Sequence, residues 1–86
     1  MAYRLIESKA YQRGLEALSP NAKVSLPFAL ERIEDDPHHL MQRRRRPDGA
    51  IVDYGAVGLL IAYQILDSER VRLLEIIDLK DAHRWP

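Results

Sequence analysis

The chain has 86 residues, 47% of them hydrophobic, with thirteen basic residues balanced by thirteen acidic ones and no cysteine. This length and apolar share fit one small globular domain spanning 1–86 and argue against disorder. The lack of cysteine excludes disulfides and thiolate metal sites, zero net charge argues against binding nucleic acid through overall basicity, and no apolar run reaches the roughly 18 residues of a membrane helix.

Met1 to Ser8 lacks the charged-then-apolar order of a secretory leader, so a cytoplasmic protein is expected. Tyr3 to Ile6 is a short apolar-rich run that suits a first strand. Ser8 is placed to cap a helix over Lys9 to Leu18, with Tyr11, Leu15 and Leu18 on one face. Gly14 weakens that helix by about 1 kcal/mol relative to alanine. Ser19-Pro20 starts a second helix, because serine caps and proline suits the first turn. Its apolar stripe is Ala22, Leu26, Ala29, Leu30 and Ile33. Pro27 interrupts it: the helix either kinks there or begins late with Ser25 as its cap, and the kink is favoured. Asp35-Asp36-Pro37 ends it.

His38 to Gly49 reads as a polar loop holding Arg43, Arg44, Arg45 and Arg46 and a Pro47-Asp48-Gly49 turn. Three strands follow, at about 50–54, 59–66 and 70–78. Asp67-Ser68-Glu69 is the polar break between the last two, which are rich in β-branched and aromatic residues. Alternation in the middle strand sends Leu59, Ile61, Tyr63 and Ile65 toward the helices, and Leu60, Ala62, Gln64 and Leu66 to the other side. In the last strand it groups Val71, Leu73 and Ile77 on one face, Leu74 and Ile76 on the other. Both sheet faces are then apolar, and a second face of that kind marks an interaction surface. Leu60, Leu66, Leu74 and Ile76 are the residues expected to bind a partner protein, or a copy of the same chain in a homodimer.

The order of strand, two helices, basic segment, three-stranded meander and short tail resembles the RelE/ParE toxin superfamily of type II toxin–antitoxin pairs. Gly58-Leu-Leu-Ile-Ala-Tyr-Gln-Ile-Leu-Asp67 looks like that family's third strand, and Glu34-Asp-Asp-Pro37 like its junction between helix and loop. The resemblance implies an α+β fold: an N-terminal strand and two helices packed on a small, mainly antiparallel sheet. It implies an antitoxin partner, and one of two activities. RelE-like members cut messenger RNA on the ribosome, whereas ParE-like members inhibit DNA gyrase without established nuclease chemistry. The family's strand arginine, three residues before the tyrosine, is Leu60 here. The preceding strand carries Asp53 where nucleases are rich in lysine and arginine.

Cleavage of RNA by its own 2′-hydroxyl needs a base, a cation at the phosphate and an acid for the leaving oxygen. The tail supplies His83, which titrates near pH 6.5 when unperturbed, with Lys80 and Arg84 to hold phosphate. These three are the candidate catalytic residues. Tyr54 and Trp85 are candidates to stack on bases, and Arg43–Arg46 to grip phosphates. Asp53 and Asp78 are expected to pair with arginines such as Arg70 or Arg72. Adjacent His38 and His39 make a poor chelate, and no metal or cofactor is expected. The function expected is that of a toxin acting as a ribosome-dependent endoribonuclease. The alternatives are a protein-binding inhibitor of a target such as gyrase, or a member with the fold and no toxicity.

Overall fold

The computed structural model describes residues 2–79. Seven elements follow in order: β1 (Arg4–Glu7), α1 (Lys9–Glu16), α2 (Pro20–Asp35), β2 (Arg43–Arg45), β3 (Ile51–Asp53), β4 (Leu59–Ile65) and β5 (Arg70–Asp78). The strands form one sheet in the order β1-β5-β4-β3-β2. β1 lies parallel to β5, and the other neighbours are antiparallel. The architecture is α+β, as expected, but the meander has four strands, not three. Among the described residues, no helix is long and apolar enough to cross a membrane.

The helix starts follow from capping chemistry. Ser8 accepts a bond from the Tyr11 amide, and Ser19 from the Ala22 amide, each satisfying an amide left without a helical partner. Pro20 occupies the first turn of α2. That helix runs unbroken through Pro27, which lies on its exposed side, so Ser25 sits inside it and caps nothing.

The core lies between the helices and one sheet face. It joins Tyr11, Leu18, Ala22, Ala29 and Ile33 to Ile51, Leu59, Ile61, Tyr63, Val71, Leu73 and Ile76. Gly14 lets α1 approach β5 closely: a Cβ there would stand 2.3 Å from the Ile76 carbonyl oxygen. The helical penalty of this glycine is the condition for that contact.

Two sequence expectations are corrected. Arg43–Arg45 form an edge strand, with Arg43 opposite Asp53, Arg44 opposite Val52 and Arg45 opposite Ile51. The expected loop is a strand because pairing with β3 outweighs the low strand preference of arginine. The second correction concerns β5. Tyr63 faces Leu73 while Ala62 faces Glu75, so Leu74 is an extra residue, a β-bulge. The Ser8 amide donates to Leu73 O at 3.1 Å and the Ser8 hydroxyl to Leu74 O at 2.9 Å, pinning the bulge to the start of α1. Beyond it the alternation inverts. Ile76 is 5% exposed and belongs to the core, not to the partner face; Ile77 takes the opposite side.

Candidate functional site

The sheet face turned away from the helices is the candidate site. Cross-strand neighbours share a face, so the register assigns it directly. β4 contributes Leu60, Ala62 and Gln64; β5 contributes Arg72, Glu75 and Ile77; β3 contributes Val52; β2 contributes Arg44; β1 contributes Arg4 and Ile6. Val52, Leu60 and Ile77, each half-buried, make an apolar floor flanked by arginines from both edges of the sheet, with Ala62 covered between them.

Arg46, just past β2, spans this face. Its Nη1 donates to Glu75 Oε1 on β5 at 3.2 Å, so the two side chains meet over the intervening strands β3 and β4. Its other nitrogens donate to Asp48. Small side chains, Ala50 and Ala62, stand where the bridge crosses, at 3% and 0% exposure. The guanidinium beside Asp48, with the Ala50 amide, holds the Asp48 carboxyl down at about 2. Hydrogen bonding to Asp48 also raises Arg46 above its ordinary value.

The first arginine of the run serves a different purpose. Arg43 turns to the helix side and is buried. Its Nε donates to Asp53 Oδ2 at 2.7 Å, and its Nη atoms donate to the carbonyls of Arg32, Asp36 and His39. Asp53 also accepts from Arg32 Nη1 at 2.8 Å and from the Gly55 amide at 2.9 Å. The Tyr63 hydroxyl donates to Pro37 O at 2.6 Å, and burial pushes its pKa up to about 12. The Arg43 guanidinium carbon lies 5.6 Å from the Tyr63 ring centroid. This cluster closes the C-terminal end of α2 onto the sheet and is structural.

The sequence-predicted residues therefore divide. Arg44 and Leu60 lie on the open face. Arg45 is exposed at the sheet edge on the helix side, opposite Ile51. Tyr54 is 50% exposed just after β3, and Leu66, 38% exposed, follows β4. Leu74 is the bulge residue. Arg43 is withdrawn from the surface, and Asp53 pairs with Arg32 and Arg43, not with Arg70 or Arg72. Asp78 accepts from the Ser19 amide at 3.1 Å. Lys80, His83, Arg84 and Trp85 lie outside the described residues.

Sequence reasoning missed Arg4, Arg72 and Glu75. Their signal was parity along the strands, which the bulge disguised for Glu75. A cleft of about 340 Å³ lies at the sheet edge, lined by Ala2, Tyr3, Arg4, Ser68, Glu69 and Arg70. The charges of Arg4 and Arg70 there are offset by Glu69 and by Asp67, which pairs with Arg70, so the cleft offers little net charge.

No protein-family model and no curated protein matches the chain. Solved structures do. The toxin–antitoxin complex RelBE2 from Mycobacterium tuberculosis aligns at a TM-score of 0.74 and 18% identity, over 91% of this chain and 99% of that one. A double arginine-to-alanine mutant of E. coli toxin RelE in the free state aligns at 0.72 and 16%, over 96% and 90%. The chain has the fold of the RelE toxins.

Proposed function

We propose that this chain is the toxin of a type II toxin–antitoxin pair and that it cuts messenger RNA on the ribosome through its open sheet face. The observation that carries the reading is the arrangement of that face: an apolar floor able to take bases, flanked by Arg44 and Arg46 on one side and Arg4 and Arg72 on the other. Arginine forks suit phosphate oxygens, and an apolar floor between them suits a single strand with its bases turned inward. The shared fold with a toxin from a toxin–antitoxin complex supports an antitoxin partner.

The test is inducible expression in a bacterial host, with messages mapped by primer extension. Growth arrest with new 5′ ends inside translated frames is the expected result. Arrest with intact messages would overturn the nuclease reading.

A second reading, a non-enzymatic inhibitor that holds a protein such as gyrase, is favoured by the floor itself. Leu60, the position of the family's strand arginine, is half-buried and apolar here and sits beside Ile77. Under this reading Leu60→Lys weakens the complex with the protein target, measured by calorimetry. Unchanged affinity would count against it.

A further inference from the structure

The bulge in β5 has a chemical consequence on the open face. Strict alternation from Val71 and Leu73 would carry Glu75 to the helix side. The extra residue at Leu74 instead sets Glu75 opposite Ala62, on the same face as Arg72, and gives Ile76 the core position. Bulges recur beside active sites because they re-aim one side chain. Here the re-aimed group is a carboxylate, and a guanidinium from the far side of the sheet meets it at 3.2 Å.

We propose that Glu75 and Arg46 are the reacting pair of an RNA-cleaving centre, whose substrate is a single-stranded phosphodiester with a free 2′-hydroxyl. This assignment rests on the nuclease reading above and names its catalytic residues. Three features carry it. The Glu75 side chain is 45% exposed and that of Arg46 is 22% exposed, so both are within reach of a strand laid on the sheet. Ala62, opposite Glu75 on the same face, is 0% exposed, so a strand laid there meets the longer side chains around it and not the floor beneath them. Arg72 and Arg44 stand on either side of the pair along the same face, placed for the neighbouring phosphates.

The chemistry closes without a metal or a redox partner. The Glu75 carboxylate takes the proton of the 2′-hydroxyl. The O2′ forms a bond to phosphorus, and the bond from phosphorus to the 5′-oxygen breaks. Arg46 leaves its bridge to Glu75 for the non-bridging phosphate oxygens, where charge grows in the transition state. The 5′-oxygen takes a proton from water, and protonated Glu75 neutralises the hydroxide left behind. The products are a 2′,3′-cyclic phosphate and a 5′-hydroxyl. Asp48 is a positioning residue: it holds the second side of the Arg46 guanidinium and fixes its direction.

The experiment uses purified protein in a reconstituted translation mixture programmed with one end-labelled message. Wild type is compared with Glu75→Gln, Arg46→Gln and, as a control on the far side of α2, Glu31→Gln. The expected result is cyclic-phosphate and 5′-hydroxyl ends from wild type and from Glu31→Gln. Cleavage falls about 10²- to 10⁴-fold in Glu75→Gln, the range for removal of a general base. A non-cleavable message carrying 2′-deoxynucleotides is bound by Glu75→Gln as well as by wild type, and more weakly by Arg46→Gln. Wild type that cleaves while Glu75→Gln keeps its rate within twofold overturns the pair and leaves the nuclease reading standing. Wild type that does not cleave overturns both. Ends carrying a 5′-phosphate overturn the pair, because they report attack by water. If Glu75→Gln does not fold, Glu75→Asp decides: a partial loss supports the pair, and a wild-type rate overturns it.

Discussion

Replacing Arg43 with alanine strikes the cluster that joins α2 to the sheet. The Arg43 and Asp53 side chains are 2% and 1% exposed, so neither charge is solvated in the folded chain. The substitution removes the 2.7 Å bond to Asp53 and the donors to the carbonyls of Arg32, Asp36 and His39. Breaking a buried pair from one side costs about 3–5 kcal/mol, because the remaining charge keeps its desolvation penalty. Asp53 retains Arg32 and the Gly55 amide, and the carbonyls of Asp36 and His39 lie near solvent, which places the expected loss at the lower end. At roughly 4–8 °C per kcal/mol for a domain of this size, the melting midpoint falls by at least about 12 °C. Urea unfolding followed by circular dichroism, with the slope checked for constancy, measures it. Arg43→Met combined with Asp53→Leu removes both charges, and Arg32, partly exposed, regains water. The double variant should therefore lose less stability than Arg43→Ala alone. A loss below about 1 kcal/mol in Arg43→Ala, the value of a surface pair, would refute the reasoning.

Four further outcomes follow from particular positions. Among the described residues the buried Tyr11 hydroxyl has no hydrogen-bond partner, so Tyr11→Phe should leave stability unchanged or raise it in the same urea assay; a loss above about 1 kcal/mol would reveal a bond to that oxygen. Burial lifts both Tyr11 and Tyr63 to about 12, above the unfolded value of 10.0, so stability is intact below pH 10 and drains away between 10 and 12, and Tyr11→Phe should shallow that alkaline loss. Gly14→Ala, which raises helix propensity by about 1 kcal/mol, should nonetheless destabilise, since its methyl meets the Ile76 carbonyl. The Asp48 carboxyl should titrate near 2 by NMR, and in Arg46→Gln its midpoint should rise toward the ordinary value of 3.8; its stabilising effect is present above 3.8 and lost as pH falls through 2.

Where pattern and local chemistry agree, the fold is legible in the sequence. Ser8 and Ser19 cap as their positions suggest, β4 and β5 fall where β-branched residues concentrate, and the helix-facing parity of Leu59, Ile61 and Tyr63 is met. The illegible parts depend on partners remote in the chain. Arg43–Arg45 have no strand preference of their own and become a strand only through β3. The run Leu73-Leu74-Glu75-Ile76-Ile77 is apolar at both parities, so nothing in it marks the residue that bulges; the bulge is set by Ser8, 66 residues away. The role of Asp53 depends on Arg32, 21 residues earlier. The open face inherits this difficulty. Leu60 could be placed on it by alternation, while Arg44 and Glu75 could not.

The parallel pairing of β1 with β5 bears on biosynthesis. Arg4 finds its partner only at Arg70, so the first strand emerges long before the strand that completes its hydrogen bonds. Closing so long a loop is deferred until late in folding. β5 also lies beside β4, and its Val71, Leu73 and Ile76 fill the core beneath the helices. A nascent chain that stops before Arg70 therefore leaves β1 without its partner, α1 without the strand it lies against, and β4 as an open edge. Premature termination yields no partial product with a formed face. Whatever this surface does in the cell becomes available in a single step, after nearly every codon of the described region has been read.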